Sequence, residues 1–344
     1  MTPSQHKLDG ISIIRTFAAV AIMLYHIGFG HYYLTQINFA SGVHLFFCIS
    51  AFLIMYTSER KKASEFLKKR IIRIIPLYFI LTVLTFAASK FIAGFGQDNI
   101  GFSELIKSLL FIPYSRSGLK SNLAVRPIVG PAWTLYFDIW FALIFFVAMK
   151  IKHKHRGLIA AILCIASYGL GHILPDTFPL AVLLQTGYML SFIAGILVYY
   201  VWNFIFSHKS IPLSFLWGIL AGLLMICFYF APEKLLLKII LSSAILLLTL
   251  IATRQKTVPK VFTYFSQISF SFYLLHYYVI LIIGKVIDFS TLNMKTILGT
   301  LCVFVITLLI AVCSYIVIEK NIFKFFKTQH NNKTLKGLLE YCFK

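Results

Sequence analysis

The stretch "ISIIRTFAAVAIMLYHIGFG", residues 11–30, decides which class of fold this sequence can adopt. It is about as long as the roughly 20 apolar residues that a helix needs to cross a bilayer. Similar runs recur along the 344-residue chain, which is 59% hydrophobic and has a mean hydropathy of +0.85. The runs are uniformly apolar rather than alternating, and backbone groups in lipid need internal partners, so they predict helices. We therefore expect an all-α, polytopic integral membrane bundle.

The apolar runs predict about ten membrane-spanning helices. They cover residues 12–33, 42–57, 74–95, 131–150, 157–174, 180–202, 213–230, 235–252, 262–284 and 296–318. The first is expected to be an uncleaved span, because Arg15 interrupts it and no cleavage site follows. We expect one transmembrane domain over 1–344, with a long outer loop at 91–130 and an interfacial tail at 319–344.

The distribution of Lys and Arg predicts the orientation of the chain. With the N-terminus inside, inner segments hold 22 of the 32 basic residues and outer segments hold 9. This bias places both termini in the cytoplasm and indicates a multi-pass protein of the cell membrane. It also accounts for the net charge of +21 without nucleic acid as a partner. The six cysteines lack metal-ligand spacing and are expected to be small core residues.

Arg15 and His26 are ionisable groups within one apolar run, where burial of a charge is costly. Eleven residues correspond to three helical turns plus about 20°, so both lie on one face about 16 Å apart along the axis. Such residues usually face the bundle interior and mark a site. The alternative is that Arg15 reaches the inner headgroups and His26 makes a core hydrogen bond.

A second basic feature precedes the third predicted span. Arg70 and Arg73 are three residues apart and therefore share a helix face, where two guanidinium groups could hold phosphate. The alternative is an ordinary cytoplasmic cluster that contacts anionic lipid.

The fourth span begins with Trp133 and Thr134 and carries Asp138 inside it. A carboxylate in lipid usually has a partner. His26 is one candidate, and an aspartate beside an imidazole would fix its tautomer. The alternative is an ion pair with a cation from another span. His276 lies among aromatic residues in the ninth span, where a structural role competes with a functional one.

Taken in order, several stretches resemble membrane-bound acyltransferase family 3, in particular its exopolysaccharide O-acetyltransferase branch. They are residues 11–26, "GVHLFFCISAFLI" (42–54), "FLKKRIIRIIPLY" (66–78), "RPIVGPAWTLYFDIWFAL" (126–143), "ISFSFYLLH" (268–276) and "SYIVIEKNIF" (314–323). The resemblance implies transfer of an acyl group, often acetyl, from cytosolic acyl-CoA to a sugar hydroxyl beyond the membrane.

The resemblance also implies roles for particular residues. The spaced arginine and histidine of the family fall on Arg15 and His26, and its arginine pair for the phosphates of CoA falls on Arg70 and Arg73. Its tryptophan–serine/threonine–leucine motif falls on Trp133, Thr134 and Leu135. Three positions depart from the pattern, since the family usually has glutamate, aspartate and glycine where this chain has Asp138, His44 and Ala51.

The resulting hypothesis is an acyl-CoA-dependent O-acyltransferase with His26 as general base or transient acyl carrier. Asp138 would orient the imidazole. Acyl-CoA is expected as a substrate rather than a resident cofactor, and no metal is expected. The expected partners are a polysaccharide or lipid-linked glycan and membrane lipids. The alternatives are a transporter or flippase of lipid-linked glycans and an inactive sensor or assembly partner.

Overall fold

The computed structural model describes residues 8–28, 36–92, 100–115, 125–207, 214–254 and 256–322. Within these residues the fold is an all-helical bundle. The α-helices are α1 (Gly10–Ile27), α2 (Gly42–Thr57), α3 (Ala63–Phe91), α4 (Phe102–Leu109), α5 (Trp133–Lys152), α6 (Arg156–Ile173), α7 (Pro179–Gln185), α8 (Tyr188–Ser207), α9 (Ser214–Phe230), α10 (Leu235–Thr253), α11 (Lys260–Ile283) and α12 (Met294–Ser314), which a π turn extends over Tyr315–Glu319.

Eight segments of the described chain are long and apolar enough to cross a membrane. One of them, Gly130–Ile173, contains both α5 and α6, and the apolar helix α9 is slightly shorter than the others. The outward faces expose large apolar side chains such as Leu84 and Leu309, as a helix face in lipid should. The polytopic helical class is therefore confirmed, whereas the number of crossings and the location of the termini stay predictions.

Two predicted spans differ from the helices that form. Helix α3 begins at Ala63 rather than at residue 74, because the basic stretch around Arg70 is helical and Pro76 does not end the helix. The predicted span 180–202 is divided into α7 and α8. Gly187 lies between them with φ of +73°, a left-handed conformation that glycine adopts readily.

The loop predicted at 91–130 contains the short helix α4, and its last part lies in the interior. Val125, Ile128 and Val129 are each at most 2% exposed. Helix α5 therefore begins inside the bundle and not at its surface. The expected tail at 319–344 lies almost entirely outside the described residues, since only 319–322 are described.

Helix α2 lies at the centre of the bundle and packs closely on α8. A Cβ atom at Gly195 of α8 would lie 2.1 Å from the carbonyl oxygen of Cys48 and 2.8 Å from the Cβ of Ala51. The two backbones therefore approach each other where Gly195 lacks a side chain. This contact fixes the depth of α2, which carries residues of both cavities described below.

The expectation that the cysteines are core residues is only partly confirmed. Cys48 and Cys164 are buried, whereas Cys227, Cys302 and Cys313 are exposed on the outer faces of their helices. Cys342 lies outside the described residues. Thiols on apolar outer faces fit a lipid environment as small hydrophobic groups.

Candidate active site

Two cavities among the described residues differ in size and lining. The arginine cavity has a volume of about 80 Å³, and its polar lining is Arg15, Ser50, Arg70, Arg73, Thr134, Asp138, Ser269 and Tyr273. The histidine cavity has a volume of about 620 Å³, and its lining includes Tyr25, His26, His44, Arg126, Trp133, Tyr188 and Glu233. The predicted site residues Trp133 and Thr134 are neighbours in sequence but line different cavities.

Val43 and Tyr273 line both cavities and so form the partition between them. The Tyr273 hydroxyl donates a hydrogen bond to the Pro131 carbonyl oxygen at 2.6 Å and lies 2.9 Å from the Thr134 hydroxyl. Because the Tyr273 proton is directed to Pro131, Thr134 is the donor in the second contact. Thr134 therefore holds the ring of Tyr273 in the partition.

Helix α1 contributes one basic residue to each cavity. Arg15 lines the arginine cavity, and His26 lines the histidine cavity. Both side chains thus face the interior from the same side of the helix, and the shared face predicted from their spacing is confirmed. The helix acts as a spacer of about 16 Å between the two groups.

One carboxylate lies in the arginine cavity. The Nη2 atom of Arg70 donates to Asp138 Oδ1 at 2.6 Å and to the Ser50 hydroxyl at 2.5 Å. The Ser50 hydroxyl in turn donates to the same Asp138 oxygen at 3.1 Å. Charged hydrogen bonds of this kind join α2, α3 and α5 around the cavity.

The predicted contact between Asp138 and His26 is wrong. Asp138 is paired with Arg70 and lines the arginine cavity, whereas His26 lines the histidine cavity on the other side of the partition. The reason is that α5 begins deep in the bundle, which brings Asp138 level with the arginines of α3. The alternative reading, an ion pair with a cation from another span, is the one that forms.

The other two guanidinium groups of the cavity have no carboxylate hydrogen-bonded to them among the described residues. Arg15 has a buried Nε without a hydrogen-bond partner there. Arg73 interacts electrostatically with Glu319 of the π turn, which accepts a hydrogen bond from Ser271. Three guanidinium groups therefore line a cavity that holds one carboxylate, Asp138, an excess of positive charge that suits an anionic ligand.

His26 is oriented by its own helix and by His276. Its Nδ1 lies 2.9 Å from the Ile22 carbonyl oxygen and 3.1 Å from Nε2 of His276. A carbonyl oxygen only accepts hydrogen bonds, so Nδ1 carries the proton. Nε2 is then the basic nitrogen, and no described group is hydrogen-bonded to it. His276 Nδ1 lies 3.3 Å from the Phe272 carbonyl oxygen, which assigns it the same tautomer.

The histidine cavity also contains a pair that the sequence did not indicate. His44 is buried, with Nδ1 2.8 Å from the Ser191 hydroxyl and Nε2 3.3 Å from Glu233 Oε1. Glu233 also accepts hydrogen bonds from Ser41 and Asn38. Burial opposes the charge of Glu233, but the hydrogen bonds and charges of its neighbours hold its pKa below the ordinary value.

Sequence reasoning missed Glu233 and Arg126 as parts of the site. Glu233 lies in the connection "APEK" between α9 and α10, which marked only a break between spans. A usable signal existed for His276. It lies as far from the start of α11 as His26 lies from the start of α1, and these two helices pack together.

Comparison with known proteins shows the family to which the chain belongs. The sequence profile of a family described as an acyltransferase domain matches residues 8–316. The chain belongs to membrane-bound acyltransferase family 3. The exopolysaccharide production protein ExoZ of Rhizobium meliloti (strain 1021) is 27% identical over 166 residues, which are 47% of this chain and 51% of that protein. The match thus spans about half the length of this curated relative. No solved structure matches the present chain significantly.

Proposed function

We propose that this membrane acyltransferase moves an acyl group, most simply acetyl, from cytosolic acyl-CoA to a hydroxyl of an exopolysaccharide or lipid-linked glycan beyond the membrane. The observation that carries the proposal is the pair of cavities that meet at Tyr273. One has the charge for an anionic donor, and the other has a basic imidazole and the volume for a sugar. The relative ExoZ, named for exopolysaccharide production, supports the choice of acceptor.

The arginine cavity suits the donor by charge and by width. The phosphates of CoA would dock on Arg73 and Arg15, with Arg70 held in place by Asp138. The cavity is narrow, with a volume of about 80 Å³, so an extended chain such as the thiol-bearing end of pantetheine would fit it more readily than a sugar ring. In the orientation that the positive charges predict, this cavity faces the cytoplasm, where acyl-CoA is found.

His26 would carry out the proton transfer in the histidine cavity. As general base, Nε2 takes the proton of the sugar hydroxyl while the oxygen attacks the thioester carbonyl. The C–S bond then breaks, and the imidazolium returns the proton to the thiolate of CoA. As acyl carrier, Nε2 would itself attack the thioester carbonyl, and the C–S bond would break to release the thiolate of CoA. The sugar oxygen would then displace the imidazole, and the hydroxyl proton would pass to that thiolate. Both routes need the tautomer that Ile22 and His276 fix.

The narrow arginine cavity argues against the alternative of a flippase, since a lipid-linked sugar would have to pass it. The histidine cavity argues against an inactive assembly partner. A purely structural role would not require Nε2 of His26 to face a cavity without a hydrogen bond to any described group. A transporter would be favoured instead if glycan crossed the membrane without acyl-CoA.

The test measures acetate ester on surface glycan by NMR in cells that express the parent protein, His26→Ala or the double variant Arg70→Gln/Arg73→Gln. Lys69→Gln is the matched control, because Lys69 is exposed, lines neither cavity and pairs with Glu65 of its own helix. We expect ester to disappear in the first two variants and to persist in the control. Unchanged ester in His26→Ala at normal membrane abundance would refute the proposal.

A further inference from the structure

The positive and negative side chains around the histidine cavity do not cancel, and their excess charge indicates which acceptor it could bind. The charged side chains that line it are Arg126 and Glu233, together with the titratable His26 and His44. Glu233 lies 3.7 Å from the ammonium group of Lys238, which is wholly buried behind it. The charges of Glu233 and Lys238 therefore offset each other.

Arg126 is not balanced in this way. Its guanidinium group makes no hydrogen bond or ion pair with any residue in the described part of the chain, although the side chain is half-buried and lines the cavity. Because Lys238 offsets Glu233, Arg126 is the one permanently charged side chain without a charged partner among the described residues that line this cavity. A cavity with one uncompensated guanidinium group attracts an anion.

The backbone that carries Arg126 is held firmly in place. Val125 pairs with Ser115 in an isolated antiparallel bridge, and the Ile128 amide donates to the Ser108 hydroxyl at 3.1 Å. Val125 and Ile128 are both 2% exposed. The backbone that carries Arg126 is thus fixed before a ligand arrives, which lowers the entropy that this segment would lose on binding.

The remaining lining suits a sugar. Tyr188 packs against both Trp133 and His44, with ring centroids 5.2 Å and 4.9 Å apart. Tyr25 packs on the edge of His26, with centroids 5.3 Å apart. These aromatic groups supply apolar surface beside the hydrogen-bonding groups, and the volume of about 620 Å³ lies in the range of small-molecule sites.

We propose that the histidine cavity binds an anionic acceptor, a glycan with a carboxylate or a diphosphate group that Arg126 holds while a neighbouring hydroxyl faces His26. This inference rests on the proposed function, because it concerns the acceptor of the same reaction. The guanidinium fork matches both carboxylate and phosphate oxygens, so the anion belongs either to an acidic sugar or to the carrier of a lipid-linked sugar.

The test measures binding of three probes to the purified full chain in lipid nanodiscs by microscale thermophoresis. The probes are trigalacturonate, its carboxyl-reduced neutral counterpart, and prenyl diphosphate-linked galactose. Each is measured with the parent protein, Arg126→Gln, Arg126→Lys and the control Lys285→Gln, which removes an exposed charge that lines neither cavity. Stabilisation by acetyl-CoA is recorded in parallel.

We expect at least one anionic probe to bind about 10–100-fold more tightly than the neutral one, as charged hydrogen bonds of about 1.5–3 kcal/mol would give. Arg126→Gln should abolish this preference, and Arg126→Lys should keep part of it. Preference for trigalacturonate alone would identify an acidic sugar, and preference for the diphosphate alone would identify the carrier.

Equal binding of all three probes by the parent protein, or an unchanged preference in Arg126→Gln, would overturn the inference. The absence of binding by either anionic probe would also overturn it. If acetyl-CoA still stabilises the protein in these cases, the proposed function survives without this inference. If acetyl-CoA neither stabilises the protein nor supports ester formation in cells, the proposed function fails and the inference fails with it.

Discussion

The arginine and histidine cavities share a wall but differ in almost every other property. One is narrow and carries three guanidinium groups, and the other has nearly eight times its volume and is lined by histidine and aromatic side chains. A single ligand would not need such different surroundings, but two substrates that meet at one point would. Under the proposed function, the arginine cavity would recognise the charged donor and the histidine cavity would recognise the sugar.

Loss of the imidazole should have the largest effect of any single change. His26→Ala removes the proton acceptor of the histidine cavity and should lower kcat by about 10²–10⁴-fold. Thermal stabilisation by acetyl-CoA should persist, because the arginine cavity is unchanged. Measurement of both quantities shows whether the two cavities act separately. His172→Ala is the control, since His172 is exposed and lines neither cavity, and it should behave like the parent protein.

The next largest effect is expected in the arginine cavity. Arg73→Gln should weaken acetyl-CoA binding about 10–100-fold, because a charged hydrogen bond to phosphate contributes about 1.5–3 kcal/mol. The substitution leaves the Arg70–Asp138 pair intact, so the fold should be retained. Calorimetry on the purified protein measures the affinity, with Lys69→Gln as the control. Equal affinity in Arg73→Gln and the control would exclude this arginine from the donor site.

A smaller effect is expected for the residue that positions His26. His276→Ala removes the ring that lies 3.1 Å from Nδ1 of His26, and kcat should fall about tenfold, the lower part of the range for proton-transfer catalysis. The KM for acetyl-CoA should not change. His276→Gln offers a carbonyl oxygen in place of Nε2 and should recover part of the loss. A rise in the KM for acetyl-CoA with unchanged kcat would contradict the positioning role.

The smallest effect is expected at the partition. Tyr273→Phe removes the hydroxyl that donates to Pro131 and accepts from Thr134. Loss of such a hydrogen bond costs about 1 kcal/mol, which corresponds to a change of about fivefold in transfer rate with donor affinity retained. A stopped-flow comparison with Val43→Ala, which widens the same wall, shows whether transfer across the partition depends on the ring or on its hydroxyl.

The parts of this site that the sequence predicts are those that one helix determines by itself. The shared face of Arg15 and His26 follows from helical periodicity, and so does the shared cavity of Arg70 and Arg73. The partner of Asp138 depends on how deep α5 begins, which is set by burial of the preceding segment and not by any local pattern. The positions of the predicted spans do not show at which depth Asp138 lies. They could therefore not decide whether its partner is His26 or Arg70.

The histidine cavity was hidden from sequence analysis for a similar reason. Glu233 and Arg126 lie in connections between helices, where charged residues usually contact solvent, and only the fold brings them beside His26 and His44. His44 lies in the first turn of α2, and Glu233 in the connection after α9 covers it. Long-range packing of loops onto helix ends carries this information, and periodicity does not.

If the proposed function is right, donor and acceptor meet at Tyr273. A cryo-electron microscopy structure with a non-hydrolysable thioether analogue of acetyl-CoA would show this meeting point. We expect the phosphates of CoA at Arg15 and Arg73, beside the Arg70–Asp138 pair, with the acyl end past Tyr273 beside Nε2 of His26. An analogue bound on another surface, or one whose acyl end stays in the arginine cavity behind a closed partition, would refute the proposed meeting of the two substrates.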